Sequence, residues 1–277
     1  MFGAGLKERS PAYVMAAAAV LAALCADAQT FSVRPRLLPV GPNPSAIVAH
    51  DLNGNGLPDI ITADRGIMSD PRDERPANDE LSLLMAQGDL NYVKLHPSLK
   101  TDFAPYAIAV ANIDAIKWPD IIVASFLAAR HRDISLFLNK AEENLFEPFF
   151  FRAPDDHLPY FRQTDGDGAE IFTRPGLTSL VVQDINGDGL RDVIATGWSS
   201  DVLVIFPGHA EDYFEAPRFI PASGAPRDLC LADFDKDGNT DLAVAMYAAA
   251  EVAFFKGDGK GSFVEARRFA TRGRLPN

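Results

Sequence analysis

Four nine-residue segments carry the residues best placed to do chemistry. They begin at Asp51, Asn112, Asp184 and Asp233 and end at Asp59, Asp120, Asp192 and Asp241. Three of them set Asp or Asn at positions 1, 3, 5 and 9, with glycine at position 6 to permit a sharp reversal. Alternate positions of a tight turn aim their oxygens inward, and a hard cation such as Ca²⁺ takes roughly six to eight oxygen ligands in flexible geometry. The first loop is expected to offer Asp51, Asn53, Asn55, the Leu57 carbonyl and Asp59. The third would offer Asp184, Asn186, Asp188, the Leu190 carbonyl and Asp192, and the fourth Asp233, Asp235, Asp237, the Asn239 carbonyl and Asp241. Mg²⁺ fits less well, since it demands strict octahedral geometry and keeps its waters.

The second segment departs from the pattern. Ile116 replaces the fifth-position oxygen and Lys117 replaces the glycine, so Asn112, Asp114 and Asp120 are expected to form a hydrogen-bonded turn without metal. Carboxylate count ranks the others, with loop four ahead of loop three and loop three ahead of loop one. The spacing resembles the front of an EF-hand, but the twelfth positions are Thr62, Val123, Ala195 and Val244 where a bidentate Glu would be needed. Asp and Asn also cap tight turns through side-chain to backbone bonds. The regular recurrence of the full set favours the metal reading, with a structural role for the ion. Two or three Ca²⁺ sites are expected.

Each loop must be held by its flanks, and these repeat as well. Short apolar, β-branched-rich runs precede the loops (Ala46–His50, Ala107–Ala111, Ser179–Gln183, Asp228–Ala232) and follow them (Ile60–Ala63, Ile121–Ala124, Val193–Thr196, Leu242–Ala245). They are too short for helices and read as strands. A third run follows in every unit, and then a segment opening on Tyr92, Phe146, Phe214 or Phe263. Each unit is therefore four strands. One such sheet cannot bury both faces, whereas radial repetition of four-stranded sheets can. The expected fold class is an all-β β-propeller of about four blades, as a small ring or a part of a larger propeller. A linear solenoid is the competing architecture.

The acidic loops, together with turns such as Phe255-Lys256-Gly257-Asp258-Gly259, resemble the FG-GAP or VCBS repeats of integrin alpha-subunit propellers and many secreted bacterial proteins. The resemblance covers residues 31–277. It implies a propeller and roles in surface adhesion and recognition, although fold does not fix function.

The remaining signals bound the setting. Lys7 and Arg9 precede the apolar run Ala12–Ala26, and Ala26-Asp27-Ala28 supplies small residues for cleavage. Residues 1–28 are therefore expected to be a secretory signal cut after Ala28, leaving 29–277 as the repeat domain in a secreted, periplasmic or envelope location. The run is shorter than the ~20 residues of a membrane span. With 26 Lys and Arg against 38 Asp and Glu, the net charge of −12 argues against nucleic acid as partner. Removal of Cys25 would leave Cys230 alone, in an alternating stretch that reads as a buried strand thiol.

Two insertions break the repeat, Asp64–Glu80 and Arg152–Gly176. The second gathers Asp155, Asp156, His157, Tyr160 and Asp165, which could form a sugar-binding or catalytic patch, or an edge-covering loop. The five histidines are scattered, and no nucleophile elbow or phosphate loop is present. The expected function is a secreted, calcium-binding scaffold that recognises a protein or a glycan without catalysis. The alternative is a polysaccharide lyase or hydrolase, for which Asp155 and Asp165 are the only carboxylate candidates outside the metal loops.

Overall fold

The computed structural model describes residues 37–66, 78–114, 116–127, 132–140, 146–153, 161–164, 170–173, 176–198 and 200–271. The chain divides into Met1–Pro39 and Val40–Asn277. All strands belong to the second unit, and no helix occurs among the described residues. The proposed signal peptide, Asp155 and Asp165 lie outside the described residues.

Strands come in fours because each unit repeats the same apolar spacing. The first blade holds β1 (Pro44–His50), β2 (Asp59–Asp64), β3 (Glu80–Gly88) and β4 (Asn91–Lys94), with β5 (Leu99–Lys100) added on β3. The second holds β6 (Phe103–Ala111), β7 (Asp120–Leu127), β8 (Ile134–Asn139) and β9 (Phe146–Phe151). A separate hairpin of β10 (Phe161–Thr164) and β11 (Glu170–Thr173) lies within the second insertion. The third blade holds β12 (Leu177–Gln183), β13 (Asp192–Gly197) and β14 (Val202–Phe206). A small hairpin of β15 (Gly208–His209) and β16 (Tyr213–Phe214) precedes its last strand, β17 (Arg218–Pro221). The fourth blade holds β18 (Pro226–Ala232), β19 (Asp241–Met246), β20 (Glu251–Gly257) and β21 (Phe263–Ala270). Every pairing is antiparallel.

One expectation shifts here. Phe214 does not open the outer strand of the third blade. It pairs back to Gly208 in the small hairpin, and Arg218–Pro221 takes the outer place against β14.

Strand side chains alternate between faces, and that alternation builds the cores. On β7, Ile121 and Val123 pack with Ile61, Leu81 and Leu83 of the first blade. Their neighbours Ile122 and Ala124 pack with Leu177, Val193 and Val204 of the third. On β13 the pattern repeats, with Ile194 turned toward Leu242, Val244 and Phe255 of the fourth blade. Three apolar layers therefore glue four sheets in series. The first strands lie side by side in the same order, β1 by β6, β6 by β12 and β12 by β18.

Cys230 corrects the sequence expectation, because its thiol is exposed. Leu229 on the same strand faces the third blade and is buried. A one-residue step puts Cys230 on the opposite face. Alternation alone predicted burial because it assumed that both faces of this sheet are covered. On that face Phe254 stacks edge-on against Phe234 and Phe269, and both partners are exposed.

Candidate metal loops and the repeat family

Each acidic loop joins the first strand of a blade to the second, so all four emerge from equivalent ends of the sheets. In loop one, Asp51 Oδ1 accepts the N–H of Gly54 at 2.7 Å and of Asn55 at 3.2 Å, and Oδ2 accepts that of Gly56 at 2.8 Å. Asn53 accepts from Asn55 N, and Asn55 from Leu57 N. Loop three repeats the set. Asp184 accepts from Asn186, Gly187 and Gly189, Asn186 from Asp188 N, and Asp188 from Leu190 N. In loop four Asp233 accepts from Asp237 and Gly238, Asp235 from Asp237 N, and Asp237 from Asn239 N. The sixth-position glycines carry the reversal, with φ of 80° at Gly56, 86° at Gly189 and 92° at Gly238. A Cβ would meet nothing within 4 Å at any of them. Backbone conformation and not space therefore asks for glycine.

The structure separates position 9 from positions 1, 3 and 5. Asp59 is fully buried and bridges the loop and β3, with Oδ2 on Leu52 N at 2.9 Å and Oδ1 on Ala86 N at 2.7 Å. Asp192 likewise accepts from Ile185 N and Gly208 N, and Asp241 from Phe234 N and Gly257 N. In the degraded loop, Asp120 binds Ile113 N at 2.7 Å and Asn139 N at 2.9 Å. Position 9 thus pins its loop to the third strand in blades one, two and four, and to Gly208 just beyond the third strand in blade three, whether or not the other oxygens are present. The rest of loop two is closed by Asp114 accepting from Ile116 N and by Asn112 Nδ2 donating to the Ile116 carbonyl.

These surroundings set the charge of each carboxyl. Burial pushes Asp51 upward, but the N–H groups of Gly56, Gly54, Asn55 and Asn53 outweigh it and hold the group below the usual range. Asp184 follows the same balance, with Gly187, Gly189, Asn186 and Asp188 outweighing burial. Burial raises Asp120 and Asp192 despite their backbone partners.

Loop four is the best fit to a hard cation. Asp233, Asp235 and Asp237 bring carboxylate oxygens within 4.8 Å of one another, all exposed. The Nζ of Lys256, near the end of β20, lies against Asp235 and sits 2.9 Å from Asp237. It lowers Asp237 and is itself raised by the pair. An ammonium therefore already stands at two of the three carboxylates. Lys140, just beyond β8, reaches Asp114 of loop two at 3.7 Å. Neither lysine was singled out from the sequence, where each is one charge in a turn after the third strand.

Buried carboxylates elsewhere also escaped the sequence reading. Asp64 accepts from Thr62 and Ser82 hydroxyls and from Gly41 N. Asp133 accepts from Ala153 N, and burial together with nearby Asp102 raises it to about 6.

Serial four-stranded antiparallel sheets, with an acidic loop at the same place in each, define a β-propeller fold. Residues 184–244 match the FG-GAP-like repeat family, a stretch running from Asp184 of loop three into β19. The match covers that segment, less than half of the chain. No curated protein matches the chain. Among solved structures, BBS1N in complex with ARL6DN, from a crystal soaked with lead, aligns over 85% of this chain and 59% of its own, with 14% identity and a TM-score of 0.50. A protein from Lactobacillus plantarum aligns over 87% and 60%, with 14% identity and a TM-score of 0.50. A candidate 6-phosphogluconolactonase from Bacteroides fragilis NCTC 9343 aligns over 84% and 58%, with 14% identity and a TM-score of 0.52. The chain spans about three fifths of the length of these structures. At such identity the likeness concerns fold alone.

Proposed function

We propose that this chain is an exported, calcium-braced propeller scaffold that recognises a protein or a glycan through its loops and does not catalyse. The observation that carries the reading is loop four, where three carboxylates converge and a lysine ammonium stands in for a cation. Loops one and three share its backbone geometry with fewer carboxylates. An ion there would tie the loop to the sheet and relieve repulsion among like charges. Export rests on the sequence of residues 1–28. No helix among the described residues is long and apolar enough to cross a membrane.

Thermal unfolding of the full chain in EDTA and then in millimolar Ca²⁺ tests the bracing, with calorimetry to count sites. The expected result is a rise of several degrees and two or three sites, one of them lost in D233N/D235N. An unchanged melting temperature with no binding heat would overturn it. N-terminal sequencing of protein recovered outside the cytoplasm tests export, with Gln29 expected first.

A further inference from the structure

The ends of the blades opposite the acidic loops carry a second repeated layer. Six positions beyond each ninth-position aspartate stand Arg65, Phe126, Trp198 and Tyr247. Six positions before each motif stand Ser45, Tyr106, Thr178 and Arg227. Equivalent positions in serial blades converge, and six of these eight are aromatics or arginines. Tyr106 lies 5.6 Å from Phe126 between ring centres, Phe126 lies 5.9 Å from Trp198, and Trp198 lies 6.5 Å from Tyr247. Arg227 sits over three of the rings, 5.8 Å from Tyr106, 5.9 Å from Trp198 and 5.5 Å from Tyr247. Its Nη2 donates to the Tyr106 hydroxyl at 2.6 Å, linking the fourth blade to the second. Arg65 also lies over Tyr106, 5.5 Å from its ring centre.

Two facts point to a ligand. No carboxylate among the described residues pairs with Arg227 or Arg65, although the chain carries twelve more acidic than basic groups. A guanidinium offers five donors in a planar fork suited to a carboxylate. Independently, the buried Nε of Arg65 and Nε1 of Trp198 have no hydrogen-bond acceptor. Such donors are normally satisfied. Among the described residues the layer therefore has more donors than acceptors, the Tyr106 hydroxyl accepting from Arg227.

We propose that this layer binds an acidic sugar, with Arg227 holding its carboxylate and the faces of Trp198 and Tyr247 receiving its ring. Aromatic faces are electron-rich, and the axial C–H groups of a pyranose carry the complementary partial charge. A single carboxylate suits this site better than a polyphosphate, which the net negative charge of the chain would repel. The proposal deepens the recognition role above and rests on it.

The test is calorimetric titration of the full chain, in Ca²⁺ and in EDTA, with a glucuronate disaccharide, its methyl ester and inorganic phosphate. The acid is expected to bind, the ester at least tenfold more weakly, and phosphate not measurably. R227Q should weaken the acid at least tenfold, and W198F several-fold, with the melting temperature held. W198F carries the test if R227Q melts early. Absence of heat with the acid, equal binding of the ester, phosphate binding that R227Q abolishes, or full binding by both variants would overturn the proposal. A retained Ca²⁺ shift without sugar binding would sink this inference alone, and sugar binding without a Ca²⁺ shift would sink the metal brace alone.

Discussion

Lys256 and Asp237 lie 2.9 Å apart at the one of the four acidic loops that carries the most carboxylates. If the proposed calcium brace holds, an ammonium and a divalent ion would compete for the same oxygens there. Replacing Lys256 with Met should tighten Ca²⁺ binding at loop four by roughly three- to tenfold, since exposed ion pairs are worth little and are screened by salt. Calorimetry at low and moderate salt reads this directly. Unchanged or weaker binding would mean that the lysine does not oppose the ion.

The ninth-position aspartate should behave as a pin in every loop. D120A leaves two backbone N–H groups, of Ile113 and Asn139, without their acceptor. Unsatisfied buried donors cost about 1–3 kcal/mol each, so denaturant unfolding should show a loss of about 2–5 kcal/mol. Ca²⁺ stoichiometry should not change, because loop two lacks the full oxygen set. Loss of a site in D120A would contradict that division of labour.

Asp133 gives a pH signature of its own. Its carboxyl is raised from 3.8 to about 6 in the fold. Between those values the folded chain keeps a proton that the unfolded chain has lost, so this group's stabilising contribution is full below about pH 4 and falls as pH rises to about 6. The shift corresponds to a penalty on the order of 3 kcal/mol above that window. D133N should flatten the pH dependence of denaturant unfolding between pH 4 and 6. An unchanged profile would place the titration elsewhere.

Phe137 fills the layer between the first two blades and is almost completely buried. Truncation to Ala should cost about 3–5 kcal/mol. Ca²⁺ affinity at loop four should stay within about twofold, since that loop rides on the third interface. A matched loss at loop four would show that the interfaces are coupled over the whole chain.

Much of this was legible in the sequence because the repeat states it four times. Strand order and loop position follow from alternating apolar runs around each acidic motif, and β1, β2, β6, β7, β12, β13, β18 and β19 all fall where those runs are. The outer strand of the third blade was misplaced because Tyr213–Phe214 has strand composition, yet pairs locally. Cys230 was misread because alternation reports two faces without saying which neighbour covers each. The dual nature of the loop residues was hidden as well. An aspartate at position 9 looks the same in sequence as one at position 1, but only the first is buried on two backbone donors. The aromatic and arginine layer was present in the text at a fixed offset from each motif. It was missed because its residue types differ from blade to blade.

The three apolar layers have a mechanical consequence. Each couples one blade to the next, and nearest-neighbour couplings of this kind add along a chain. Pulled from its ends, such a molecule gives way as a sequence of separate ruptures, one for each layer. The hydrogen bond from Arg227 to Tyr106 skips a blade, so it acts as a tether that delays the last of the fourth blade's release.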